Sequence, residues 1–202
     1  MANKKLPEIL TREEARNLFK QINRRYTRGI RNYSIYNLLL NSGLRNAELC
    51  GLRNKDINFA EPSVMVKNGK GGKDRKVDLP EETLVYIKDW INEKNRLGLD
   101  SKWLFCSYRK FNDDKGLPGQ KLTTRYLQLA LKDYLKRAGI DEDKNIHVHS
   151  LRHTYATELL RADGNLVNVM NQLGHSNIQT TMIYQHMSNK DTRSAVQKLI
   201  AF

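Results

Sequence analysis

The sequence predicts a mainly α-helical domain carrying one small antiparallel β-sheet. Several stretches place apolar residues at i, i+3 and i+4 spacing, the signature of amphipathic helices. One short segment has β-branched ends around a Gly- and Lys-rich centre, the pattern of a hairpin. The 202 residues suffice for a single hydrophobic core without disulfide or metal staples.

The first helix is announced by "LTREEARNLFKQI", where Thr11 and Glu14 form a T-x-x-E capping box and Ala15, Leu18, Phe19 and Ile22 fall on one face. Further helical patterns run over about 33–41, 46–52, 81–96, 123–138, 151–161 and 166–173. Between the third and fourth of these seven, "SVMVKNGKGGKDRKVDLP" reads as the hairpin, and "KWLFCS" is expected to add a third strand. "RKFNDDKGLPGQKL" carries the Gly and Pro punctuation of an exposed loop. In "LGHSNIQTTMIYQH", Gly174 is placed to close one helix. Ser176 opens the next with Gln179 as its capping partner, and Ile178, Thr181 and Met182 share the face expected to dock.

Lys and Arg number 35 against 22 Asp and Glu, a formal net charge of +13 with both signs interspersed. Such an excess on a folded chain points to a polyanionic partner, most often nucleic acid, although a merely soluble basic protein shows it too. Cys50 and Cys106 belong to no C-x-x-C pair and read as reduced core residues. There is no apolar run of membrane-spanning length, and "MANKKLPEIL" lacks the apolar core of a signal peptide, so a cytoplasmic protein is expected.

Four stretches carry chemistry-bearing side chains. In "SGLRNAEL", Arg45 follows a Gly-containing turn at a helix start, with Glu48 one turn on to orient its guanidinium; an ordinary surface ion pair has the same spacing. In "HVHSLRHTYATELL", His149 precedes a helix that Ser150 can cap, with Arg152 in its first turn. Such a helix N-terminus can seat a phosphate, or can be simply a capped helix with a solvated arginine. His149 and His153 have the H-x3-H spacing of a helical zinc site. The residues between them are Ser, Leu and Arg where a hydrolytic zinc motif has Glu after its first His, and Arg152 would repel a cation. The loop "NGKGGKDRK" presents Lys70 and Lys73 among glycines that permit close approach to a ligand, as a plain flexible turn also would. It lacks the spacing of a nucleotide-binding P-loop. Tyr184, near the end of "LGHSNIQTTMIYQH", taken alone reads as one more packed ring with a satisfied hydroxyl.

Taken together, the order Arg, Lys, His-x-x-Arg, His, Tyr resembles the catalytic domain of the tyrosine recombinases, the phage-integrase family. The motifs that match are "GLRNAELCGL", "GKGGKDRKVDLP", "HSLRHTYATELL" and "LGHSNIQTTMIYQH", and the likeness runs from "LPEILTREEA" to the tail. The resemblance implies that family's catalytic-domain fold. It also implies a site-specific recombinase that cleaves and rejoins double-stranded DNA through a 3′-phosphotyrosine, with no ATP, metal or other cofactor. Its catalytic set falls on Arg45, Glu48, Lys70, His149, Arg152, His175 and the nucleophile Tyr184. His149 is the candidate for taking the tyrosine's proton, Lys70 for protonating the leaving 5′ oxygen, and Glu48 for orienting Arg45. A type IB topoisomerase, with similar chemistry on one duplex, and a DNA-binding regulator that kept only the fold are the alternative readings.

The expected organisation is a single catalytic domain over 1–202, with its core at 10–186 and a tail helix at 187–202. The family's usual N-terminal core-binding domain is expected to be absent, since only about ten residues precede "LTREEA" in this sequence. An excised domain and a short family member, like the fimbrial-switch invertases, both fit. In the tail, Ala195, Val196, Leu199 and Ile200 make an apolar stripe flanked by Lys190, Arg193 and Lys198. It can pack on its own domain. The resemblance implies docking in a neighbouring protomer, with a free monomer and a tetramer at synapsis.

Overall fold

The computed structural model of the chain describes residues 6–67, 74–108, 117–140, 144–174 and 181–184. Among these the helices are α1 (Arg12–Lys20), α2 (Thr27–Ser42), α3 (Asn46–Gly51), α4 (Glu81–Arg96), α5 (Thr124–Arg137), α6 (Val148–Asp163) and α7 (Leu166–Leu173). The strands β1 (Ile57–Asn58), β2 (Ser63–Val66) and β3 (Arg75–Asp78) form one antiparallel sheet in the order β1-β2-β3. This is the mainly α fold with a small sheet that the sequence predicts.

Local signals set several boundaries. Thr11 caps α1 by accepting from the backbone of Glu14 at 3.1 Å, and Glu14 returns the bond to the Thr11 backbone at 2.7 Å. The Thr123 hydroxyl caps α5, and α4 occupies the stretch its periodicity marks. Gly174 ends α7 at φ +65°, a conformation that costs an L side chain about 1–2 kcal/mol.

Four expectations need correction. Helix α2 begins at Thr27, six residues before the predicted start, because tertiary partners stabilise a polar first turn. Gly29 presses against the Asn23 carbonyl so closely that an added Cβ would lie 1.8 Å from its oxygen. Arg31, buried, donates to the Cys106 carbonyl at 2.8 Å and to the Tyr126 hydroxyl. The third strand is β1, not the 102–107 segment. There, Leu104, Phe105 and Cys106 are all buried, and the backbone makes isolated bridges with Arg53 and Lys121 instead of extending the sheet. Ser150 is not the N-cap of α6 but the third residue of a helix that starts at Val148, its hydroxyl accepting from the backbone N–H of the N-cap His147 at 3.2 Å as one half of a capping box. Met182, expected on the docking face, is exposed, whereas Thr181 and Tyr184 are buried. Ser176, Ile178 and Gln179 lie outside the described residues.

Helix α2 is the central element, packing against α4 and α6. Its Ile35, Leu38 and Leu39 join Trp90 of α4, Leu127 and Leu131 of α5 and Leu151 of α6 in the main core. Each such fully buried side chain contributes roughly 1.5–3 kcal/mol of transfer free energy. Cys50 and Cys106 are buried free thiols within it. A smaller cluster joins Ala156 and Leu160 of α6, Val169 and Leu173 of α7, and Tyr184. That second cluster positions the site.

Candidate active site

Five of the seven predicted residues are described, and they come together where the N-termini of α3 and α6 meet the helical residues 181–184. Lys70 and His175, like Lys73 and the tail stripe, lie outside the described residues.

Arg45 is the N-cap residue of α3 and Glu48 its third position. This spacing lets Glu48 accept from the Arg45 backbone N–H and from its Nη1, both at 2.8 Å. Glu48 is also gripped from the sheet: Arg75, the first residue of β3, donates Nη1 and Nη2 to the two carboxylate oxygens at 2.9 Å each. Burial opposes the Glu48 anion, but the hydrogen bonds from Arg75 and the Arg45 backbone outweigh it and bring its pKa down to about 2. Arg75 further donates Nε to the Gln172 carbonyl of α7 at 3.1 Å. Its side chain lies so near Gly174 that a Cβ there would come within 2.8 Å of Cδ. Arg75 was missed in the sequence, yet a signal was present: it shares a strand face with the buried Val77 two residues on.

Arg152, in the second turn of α6, is almost fully buried. It donates to the Gly43 carbonyl and, through Nη2, to the Leu173 carbonyl at 2.8 Å. Gly43 has φ +59°, and a Cβ at that position would strike Tyr155 at 2.4 Å, so this glycine is required both by the turn ending α2 and by close approach to α6. Burial, then the like charge of Arg45, lowers the Arg152 pKa to about 10, which still leaves it cationic at neutral pH.

Tyr184 is buried to 1% exposure, with its hydroxyl 3.0 Å from Nδ1 of His153. Burial raises its pKa, and the charges of Arg152 and Arg45 pull the other way. His149 stands one helical turn from His153, the rings meeting edge to face with centroids 4.7 Å apart. Burial lowers the His149 pKa, as do the charges of Arg152, His147 and Arg45. Of the H-x3-H pair, it is His153 that meets the tyrosine. Among the described residues no group of three or more His, Cys, Asp or Glu is gathered as a metal site would require.

The guanidiniums of Arg45, Arg75 and Arg152, the Glu48 carboxylate, the rings of His149 and His153 and the buried Tyr184 phenol are thus gathered in one place. A model of the phage integrase family matches residues 8–191. The chain belongs to the phage integrase family. Its similarity to named members of that family is spread over the chain. It is 36% identical over 196 residues to a tyrosine recombinase of Thermosipho africanus, covering 97% of this chain and 63% of that protein. To the tyrosine recombinase XerA of Pyrococcus furiosus it is 35% identical over 195 residues, with 96% and 63% covered. This phage integrase family chain therefore spans less than two thirds of the length of these relatives. The crystal structure of a XerA recombinase superposes with a TM-score of 0.79 at 30% identity, covering 98% of this chain and 67% of that one. A XerH site-specific recombinase in a post-cleavage complex with its palindromic difH substrate gives 0.79 at 28% identity, with 98% and 54% covered. Among the described residues no helix is long and apolar enough to cross a membrane.

Proposed function

We propose that this chain is the catalytic part of a site-specific DNA recombinase, which cuts and rejoins DNA strands through a 3′-phosphotyrosine at Tyr184. One observation carries the reading: the buried Tyr184 hydroxyl lies 3.0 Å from Nδ1 of His153 on α6, and the neighbouring Arg152 of that helix reaches the Gly43 carbonyl, two residues from the Glu48-oriented Arg45. Arg45, Arg75 and Arg152 outnumber the single carboxylate of Glu48 that pairs with the first two, so the site keeps a positive excess that favours a further anion. A DNA phosphodiester is such an anion, and its phosphorus is the electrophile a tyrosine oxygen can attack.

Attack builds a five-coordinate phosphorus whose non-bridging oxygens gain negative charge, and stabilising that charge is the main catalytic task. Arg45 and Arg152 supply it. An arginine on a transferring phosphoryl group is worth about 10³–10⁵ in rate, roughly 4–7 kcal/mol, so two account for much of the acceleration. Glu48 acts as an orienting residue, fixing Arg45. By family resemblance, His175 adds a hydrogen bond to the phosphate and Lys70 protonates the leaving 5′ oxygen. The phosphotyrosine conserves the phosphodiester's energy, so a free 5′ hydroxyl of another strand reseals the backbone without ATP. The relatives named tyrosine recombinases and the XerH complex with its DNA support double-stranded DNA as the partner. Assembly of four protomers at synapsis, a single catalytic domain over 1–202 and a cytoplasmic, nucleoid-associated location belong to the same reading.

The test begins with a duplex selected from a random library by covalent capture. A version nicked so that the cleaved strand drifts away should trap the wild-type chain as a covalent adduct. Y184F should bind that duplex as tightly and yield no adduct; equal adduct from Y184F would rule out Tyr184 as the nucleophile.

A further inference from the structure

We propose that His153, rather than His149, takes the proton of the Tyr184 hydroxyl as that oxygen attacks phosphorus, and gives it back when the strand is rejoined. The inference rests on Tyr184 being the nucleophile.

Geometry selects His153. Its Nδ1 lies 3.0 Å from the Tyr184 hydroxyl, within the range for direct proton transfer, with ring centroids 5.7 Å apart. His149 meets the His153 ring in a T-shaped contact and makes no described hydrogen bond to that hydroxyl. The two histidines are one turn apart on α6, so one helix face carries both, with His153 at the phenol.

Charge state selects it as well. Burial, followed by the charges of His149, Arg152 and His147, lowers the His153 pKa to about 4, so the ring is neutral at pH 7. With the hydroxyl donating, Nδ1 must present its lone pair, and Nε2 must carry the ring hydrogen. A protonated His153 would donate to the phenol oxygen and occupy the lone pair needed for attack. Among the described residues, the charged or titratable groups acting on this ring are His147, His149, Arg152 and the Tyr184 phenol, and none of them is an anion at pH 7. A phosphodiester held by Arg45 and Arg152 brings the missing negative charge and raises the basicity of His153. The same two arginines favour the phenolate of Tyr184. Proton transfer thus becomes favourable when DNA is bound, and the nucleophile stays protonated without it.

The step balances. The Tyr184 O–H bond breaks as an N–H bond forms at Nδ1, giving imidazolium. The phenolate oxygen bonds to phosphorus, the P–O5′ bond breaks, and the 5′ oxygen takes a proton from the general acid assigned to Lys70. Rejoining reverses each event, and His153 returns its proton to the departing Tyr184 oxygen.

The test compares single-turnover cleavage of the nicked duplex by wild type, H153N, H149N and Y184F across pH. Asparagine keeps a hydrogen-bond acceptor beside the hydroxyl but cannot take up a proton. H153N should bind DNA and melt like wild type, yet cleave about 10²–10⁴-fold more slowly at pH 7. Its rate should keep climbing with pH as hydroxide replaces the lost base, whereas wild type reaches a plateau. H149N should retain the plateau. Cleavage by H153N within threefold of wild type, or a climbing profile for H149N alone, overturns the proposal. Adduct from Y184F would instead defeat the nucleophile assignment, a separate failure. Should H153N not fold, nitrogen-15 histidine resonances of the wild-type chain decide the matter. A neutral ring with its hydrogen on Nε2 at pH 7 supports the role; a cationic ring, or one with its hydrogen on Nδ1, rules it out.

Discussion

Arg75 and Glu48 form a two-pronged ion pair between β3 and α3, both Nη atoms lying 2.9 Å from the carboxylate oxygens, with 12% and 9% of the respective side chains exposed. Through Nε and the Gln172 carbonyl, the same arginine also reaches the end of α7. Removing one partner of a buried pair leaves the other charge uncompensated, at about 3–5 kcal/mol. Arg45 still pairs with Glu48, so R75A should lose about 3 kcal/mol, the lower end of that range. R75K should recover only part of the loss, since an ammonium cannot make the planar two-point contact. Urea unfolding at pH 7 reads both variants. A wild-type midpoint for R75A would show the pair to be of no structural consequence.

Acid should act on the same cluster. The Glu48 pKa is about 2 when folded against an ordinary value of 4.5, so the carboxylate favours the folded state above pH 4.5. That contribution falls away as pH drops from 4.5 through about 2. At ~1.4 kcal/mol per pKa unit the full effect is at most about 3 kcal/mol. E48Q should therefore be less stable than wild type at pH 7, and the gap should close across that window. A gap unchanged between pH 7 and pH 3 would show that Glu48 is not the titrating group.

Lys70 is assigned as general acid over Lys73 by its place in "GKGGK". A substrate with sulfur at the 5′ bridging position has a leaving group needing little protonation. It should restore cleavage to K70A while leaving K73A unaffected. Rescue of K73A alone would reverse the assignment, and rescue of neither would take both lysines out of this role.

The tail stripe of Ala195, Val196, Leu199 and Ile200 is proposed to dock in a neighbouring protomer at synapsis. Burying four such side chains contributes several kcal/mol, on the order of what couples assembly to activity but too little to hold dilute protomers together. Deleting the chain after Asn189 should spare folding and single-site binding while abolishing cooperative synapsis. An unfolded deletion variant would indicate packing within the chain, and normal recombination of paired sites would dismiss the docking.

What the sequence by itself determined is what neighbouring residues decide among themselves. The Thr11–Glu14 capping box, the extent of α4, the Gly174 stop and the Arg45–Glu48 pairing all span three or four residues or one amphipathic period, so side-chain spacing suffices to reveal them. The ordered set of Arg45, Glu48, Lys70, His149, Arg152, His175 and Tyr184 was likewise legible as a family pattern. Tertiary structure decided the rest. Arg75 meets Glu48 across 27 residues of chain, and His153 meets Tyr184 across 31. The early start of α2 depends on Arg31 reaching Cys106, 75 residues away. Burial of Leu104, Phe105 and Cys106 at once leaves no alternating face for a sheet strand, so the third strand falls to the short β1. Even where a strand period marks one partner, as it marks Arg75 beside Val77, neither segment names the residue it will meet. Such contacts exist only once the core has brought α3, α6 and β3 to one place, where the alternative for each buried polar group is to lose its solvent without gaining a partner.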